Sequence, residues 1–202
     1  MAPPVAPHHL TLADISDLRA YERERAEFHQ RVIELKRVRR VQVGELMTFV
    51  FENRDTVRFQ IQEMARVERL IRDEAIQAEL DIYNVLVPAE GQLCATLFIE
   101  LTSDALLREW LPQLVGIESH VLLRAAGDVL IRAKPEEGHA AMLTREDITS
   151  TVHYLRFEPT PAEIVAVATG PVSLAVDHPC YRFETELTSS TVEELLHDLR
   201  GR

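Results

Sequence analysis

Apolar residues along this chain recur with two periods, and the switching between them marks out most of its elements. Thr11 opens a helical segment, with Asp14 three residues on as a weaker stand-in for the Glu of a capping box. Ile15, Leu18, Tyr21, Phe28, Val32 and Leu35 then recur at helical spacing through Arg40. The charged interval ERERAE between Tyr21 and Phe28 predicts that part of this helix lies on the surface. Gly44 ends the turn that follows, and LMTFVFE reads as a strand that is mostly apolar on both faces. Asn53 or Asp55 then caps a second helix running to about Asp73, with a further turn over EAIQAELD. A loop punctuated by Asn84, Pro88 and Gly91 leads into LCATLFIEL, the clearest central strand.

Beyond it, SDALLREWL is a short helix with Ser103 at its cap and a stop near Pro112. HVLLRAAGDVLIRA predicts a hairpin around Gly127-Asp128, and PEEGHAAMLTRED is a polar excursion before the strand STVHYLRFE. Pro161 suits the first turn of a helix over PTPAEIVAVAT. VSLAVDHPCYRFETEL predicts two strands bent at His178-Pro179, where the proline forces His178 into extended geometry. TSSTVEELLHDL closes the chain as a helix. Strands come in adjacent pairs rather than alternating with helices. The expected class is therefore α+β: an antiparallel or mixed sheet of about six or seven strands, with a long N-terminal helix and further helices packed on it. The proline-bearing start, residues 1–10, is expected to be a flexible leader to a single globular domain over 11–202.

Charge narrows the functional classes. A net charge of -11 opposes nucleic-acid binding unless basic residues segregate, and the strongest basic cluster, KRVRR (Lys36 to Arg40), ends a helix where cations suit the macrodipole. It is read as a solvated helix end or as an anion or partner site. The start of the chain has no secretory pattern, and no run of about 18 apolar residues occurs, so no membrane span is expected. The two cysteines, Cys94 and Cys180, form no CxxC pair, which suits a reduced cytoplasmic protein.

Candidate chemistry rests on polar residues at positions that packing should bury. In FENRDTVRFQIQEM, a helical projection places Val57, Ile61, Met64, Val67 and Ile71 on one stripe, with Gln60 inside it and Glu63 at its flank. Arg58, Gln62, Arg66 and Arg69 take the opposite, solvent side. A buried carboxylate needs a partner, so Glu63 calls for an arginine such as Arg25 or Arg54, a hydrogen-bond donor, or a metal. Asp177 and His178 sit where a strand bends, and His153 shares a face with Leu155 and Phe157. Each histidine is equally read as a satisfied structural group. Together Glu63, His153 and His178 would suit Fe, Mn or Zn, although no ligand-spacing motif joins them. No GxSxG, P-loop or GxGxxG motif supports a common hydrolase, nucleotidase or dinucleotide reading.

The ordered blocks RVIELKRVRRVQVG, FENRDTVRFQIQEM, ELDIYNVLVP, ATLFIE, VHYLRFE and DHPCY resemble an uncharacterised bacterial family known only as a domain of unknown function. The likeness runs from about Leu10 to the C-terminus. Its members are commonly encoded beside rubrerythrin and an iron–sulfur oxidoreductase of the heterodisulfide-reductase type. The resemblance therefore implies a cytoplasmic accessory of peroxide or redox defence, with those two proteins as partners, and no reaction. Its blocks contain the binding candidates Glu52, Arg54, Asp55, Gln60, Asp81, Tyr83, Asn84, Asp177 and Tyr181 beside Glu63, His153 and His178.

Three readings follow. An accessory protein would bind a partner or metal through the polar face around Glu63 and the Asp177-His178 corner. A metal-dependent enzyme would use His153, His178 and Glu63 as ligands, with Asp177 or Asp55 as base. A small-molecule binding module would hold an anionic ligand with Arg54, Arg58 and the KRVRR arginines. Exposed sheet edges and the part-polar first helix also suggest a homodimer.

Overall fold

The computed structural model of the chain describes residues 8–136 and 147–201. His139, most of the polar excursion and the start of the leader lie outside the described residues. A short turn of 3-10 helix, Leu12–Asp14, precedes α1 (Leu18–Arg39), β1 (Arg40–Val43), β2 (Met47–Glu52), α2 (Arg54–Glu68) and α3 (Asp73–Tyr83). Then come β3 (Leu93–Ile99), α4 (Asp104–Trp110), β4 (Val121–Ala125), β5 (Val129–Arg132), β6 (Lys134–Pro135) and β7 (Val152–Phe157). The chain closes with α5 (Pro161–Thr169), β8 (Ser173–His178), β9 (Tyr181–Glu186) and α6 (Ser189–Leu199).

The class is α+β. The strands divide between two antiparallel sheets, one ordered β1-β2-β3-β7-β6 and one ordered β5-β4-β8-β9. Side-chain parity explains the layering. Met47, Phe49 and Phe51 on β2, with Leu93, Ala95 and Leu97 on β3, share one face of the five-stranded sheet. That face meets Val121, Leu123, Leu174 and Val176 of the second sheet in the main core. The intervening residues Thr48, Val50, Glu52, Cys94, Thr96 and Tyr154 point the other way, toward the helices. The strands of the larger sheet are therefore buried on both faces, which is why β2 reads as a nearly unbroken apolar run.

Tyr181 joins the two sheets. Its hydroxyl donates to the Val43 carbonyl at 2.7 Å and accepts from Leu46 N–H at 3.0 Å. This closeness explains Gly44, which sits at φ +66°: a Cβ there would lie 2.3 Å from the Tyr181 hydroxyl oxygen and 2.7 Å from the Phe183 ring.

The start of α1 differs from expectation. The Thr11–Asp14 capping box closes only the 3-10 turn, and the helix begins at Leu18, where Asp17 accepts from Arg19 and Ala20 N–H. Leu10 is buried, and its backbone N–H and carbonyl both bond to the Asn84 side chain, at 2.8 and 2.9 Å. At the other end of α1, Arg39 is not a solvated cation. It is 1% exposed and forms ion pairs with Asp198 and Glu194 of α6 at 2.6 and 2.8 Å.

The stripe assigned to α2 is also shifted. Asn53 caps the helix as the sequence suggests, but Arg69 adopts left-handed geometry and ends it before the stripe is complete. Val67 and Ile71 are consequently 65% and 79% exposed. Gln62, expected in solvent, is fully buried, because the 8–17 segment folds over that side. Its amide bonds both Ser16 N–H and the Ser16 carbonyl at 2.9 Å.

Candidate functional site

A cavity of about 130 Å³ lies between the helix-facing side of the five-stranded sheet and the helices. That is smaller than a drug-sized site, which encloses about 300–1,000 Å³, and it suits a ligand of few atoms. The sheet supplies Glu52 from β2, Thr96 and Phe98 from β3, and Val152 and Tyr154 from β7. The helices supply Lys36 from α1, Thr56, Val57 and Gln60 from α2, and Tyr83 from the end of α3. The position of Glu52 follows from strand parity: it is two residues beyond Val50 on the helix-facing side of β2. Thr96, from the neighbouring strand, reaches it across the sheet.

Glu52 is 7% exposed. Thr56 Oγ donates to its Oε2 at 2.5 Å, and Thr96 Oγ donates to its Oε1 at 2.8 Å. Thr56 is fixed in turn by the helix start, where it accepts from Asn53 N–H at 2.9 Å. The two hydroxyls are neutral donors and leave each carboxylate oxygen with accepting capacity. Among the described residues, Glu52 forms no ion pair. Lys36, Gln60 and Tyr83 make no side-chain hydrogen bond to another described residue, so all three remain available to a bound molecule. Tyr154 stays protonated across neutral pH: burial, with Tyr83 and Glu52 nearby, raises it to about 12. The chamber thus offers a buried carboxylate, a half-buried ammonium, an amide and a phenol, between the apolar walls of Val57, Leu86 and Phe98.

Three of the sequence candidates, Glu52, Gln60 and Tyr83, come together here. The other nine do not. Arg54 pairs with Asp14 at 2.7 Å, Asp81 accepts from Gln77 at 2.8 Å on the surface, and Asp55 is exposed in the first turn of α2. Asn84 holds Leu10, and Tyr181 links the sheets. Asp177 is half-exposed between Arg132 and His120, at 2.8 and 3.1 Å, and the Arg132 guanidinium is the first cause holding its carboxyl below the usual range.

The three residues proposed as metal ligands do not gather into one donor set. Glu63 accepts from Arg25 at 2.8 and 3.0 Å, from the Tyr21 hydroxyl at 2.7 Å and from Arg66 at 3.1 Å. The Arg25 hydrogen bonds, joined by those from Tyr21 and Arg66, outweigh the opposing effect of burial and bring its pKa down to about 2. Arg25 is the partner that the sequence calls for. His153 Nε2 donates to the Ser150 carbonyl at 2.9 Å, with Thr149 Oγ at 3.1 Å, and its other ring nitrogen is 3.7 Å from Glu118. His178 accepts from Cys180 N–H through Nδ1 and donates from Nε2 to the Val115 carbonyl, each at 3.2 Å. Both nitrogens of a neutral ring are then used, and burial lowers the His178 pKa. Among the described residues, no three His, Cys, Asp or Glu side chains gather where a metal would sit, so this donor set does not fit an Fe, Mn or Zn centre.

The anionic-ligand reading relied on arginines that are engaged elsewhere. Arg58 bonds the Asp14 carbonyl and Glu24, and Arg39 is tied to α6. Of the KRVRR cluster, Lys36 alone lines the chamber. Its role was visible in the sequence only as one charge among four. Thr56 and Thr96 were missed altogether. The available signal was their polarity at positions that helix and strand periodicity direct inward.

The fold and site together define an α+β protein in which a helix layer closes a small polar chamber over one face of a two-sheet core. The chain belongs to the family described as "Protein of unknown function (DUF3501)", whose model matches residues 9–199. It is similar, at 37% identity and a TM-score of 0.86, to a crystal structure of a novel protein of unknown function from Burkholderia pseudomallei K96243. That match covers 94% of this chain and 98% of the other. No curated protein matches the sequence. Among the described residues, no helix is long and apolar enough to cross a membrane.

Proposed function

We propose that this chain is a binding protein whose ligand is a small polar molecule held in the chamber at Glu52. The observation that carries the reading is a buried carboxylate with two neutral donors and no ion-pair partner among the described residues. An ion kept out of water is costly unless an opposite charge or further donors compensate it. A ligand with a positive or donating group supplies that compensation, and Gln60 and Tyr83 supply directional contacts.

The test is thermal denaturation of the full chain against a panel of amines, carboxylates, amino acids and sugars. A ligand at about 100 times its dissociation constant stabilises by about 2.7 kcal/mol, a rise of roughly 5–11 °C for a chain of this size. A compound that gives such a rise, and loses it on Glu52→Gln, supports the site. Cooperative unfolding with no shift across all four classes removes it.

The cellular setting we propose is that of a cytoplasmic accessory in a rubrerythrin-linked redox or peroxide-defence system. Its support is the resemblance of the sequence blocks to the family encoded beside rubrerythrin. Co-purification of the chain with that rubrerythrin tests this second part independently of the chamber.

A further inference from the structure

The two charged groups of the chamber differ in sign and do not neutralise each other. Glu52 is set into its floor by Thr56 and Thr96. Lys36 reaches its edge from α1, half-buried and without an acidic partner among the described residues. The pair is beyond ion-pair distance, although each is the other's nearest opposite charge within the lining. A ligand with a single positive charge would compensate Glu52 and leave Lys36 unpaired in a partly desolvated position. A simple anion would satisfy Lys36 and leave the buried carboxylate as it was. A molecule with a cationic nitrogen at one end and a carboxylate at the other satisfies both.

Building on the binding role proposed above, we infer that the chamber takes a small zwitterion of the amino-acid class. Its ammonium is directed to Glu52 and its carboxylate to Lys36. The geometry of the donors agrees with this orientation. The two hydroxyls bonded to Glu52 leave lone pairs on both carboxylate oxygens, which accept N–H groups from an ammonium. Gln60 and Tyr83 are free to bond the ligand's polar atoms as well. Val57, Leu86, Phe98 and Val152 provide the apolar surface that a short aliphatic side chain covers.

The experiment is isothermal titration of the full-length protein with matched sets: glycine, L-alanine and L-leucine; the amines methylamine, ethylamine and isoamylamine; and acetate, propionate and isocaproate. The expected result is binding of at least one amino acid at least 10-fold tighter than its matched amine and its matched carboxylate. Lys36→Met should reduce that preference over the amine to less than 3-fold, and Glu52→Gln should do the same for the preference over the carboxylate. Lys36 is half-exposed and buries no ion pair, so Lys36→Met remains informative even where Glu52→Gln fails to fold. Binding of amines as tight as that of amino acids, unchanged by Lys36→Met, overturns the zwitterion inference and leaves a cation site at Glu52. Carboxylates binding best would overturn it in the opposite sense. Absence of heat and of thermal shift for all nine compounds also overturns it. The binding role itself then stands or falls with the wider panel, which includes sugars.

Discussion

Arg39 makes the strongest single test of how the helix layer is held. Its guanidinium is 1% exposed and meets Asp198, whose side chain is 7% exposed, and Glu194, at 35%. In Arg39→Met the Glu194 carboxylate can turn to water, whereas Asp198 is left with a buried charge and no partner. Breaking such a pair costs about 3–5 kcal/mol, a large part of the roughly 5–15 kcal/mol that holds a typical protein folded. For a chain of about 200 residues this corresponds to a fall of roughly 6–20 °C in melting temperature. Removing the stranded charge as well, in Arg39→Met/Asp198→Leu, should restore more than half of the loss, because an apolar pair of similar size is about as stable as a buried ion pair. The wild-type pair also carries a cost of its own, since Arg39 Nε is buried without an acceptor among the described residues. Melting curves and urea titrations of the wild type, the two single variants and the double variant close a mutant cycle. A single-variant shift below about 2 °C, or a double variant no more stable than Arg39→Met, would refute the reasoning.

Other outcomes follow from local geometry. Gly44→Ala should lose at least about 1–3 kcal/mol, because it adds left-handed strain to a clash with Tyr181; Tyr181→Phe, which removes two hydrogen bonds, should lose about 1–3 kcal/mol in the same urea assay. Glu63 titrates near 2 in the folded protein and near 4.5 when unfolded, so its contribution is complete above pH 4.5 and is lost as pH falls toward 2. Glu63→Gln should flatten that acid limb by about 1–2 kcal/mol after allowance for solvent screening, and an unchanged limb would count against the pairing. His178 is shifted in the same sense, here by burial: the folded state resists the proton, so stability should fall as pH drops below about 6.5, and His178→Gln should blunt this loss. Burial pushes the Cys94 thiol up to about 11, whereas Cys180 is exposed, so a thiol reagent at pH 8 should modify one cysteine in the native protein and both after denaturation.

Local signals in the sequence were reliable where an element is governed by its own residues. Asn53 at the α2 cap, Ser103 before α4, Pro161 at the start of α5 and the Gly127-Asp128 turn all carry the geometry their chemistry favours. The strand β3 declared itself by length and apolarity. What the pattern could not give was which surfaces meet. Gln62 is buried only because the residues around Ser16 return over α2, and Arg39 is buried only because α6, more than 150 positions later, lies against it. Both side chains have the character of surface residues, and nothing adjacent in the sequence says otherwise. The division of the strands into two sheets is hidden for a similar reason, since alternation shows that a strand has two faces without naming its neighbour. The chamber was half legible. Glu52, Gln60 and Tyr83 attracted notice as polar groups in apolar surroundings, but the threonines that hold Glu52 and the lysine opposite it required the packed structure.

The ion triad at Arg39 has a consequence for when the chamber acquires its final shape. Lys36 stands one helical turn before Arg39 on α1, and the end of that turn is anchored by the last helix of the chain. Every residue lining the chamber lies between positions 36 and 154 and is synthesised well before Asp198. During synthesis the lining is therefore all present while the hinge end of its basic wall is still loose. Ligand affinity should mature late, at the moment α6 docks, and Arg39→Met, which keeps every contact residue, should bind more weakly than the wild type. The C-terminal helix would in this way steady the wall of a site that it does not line.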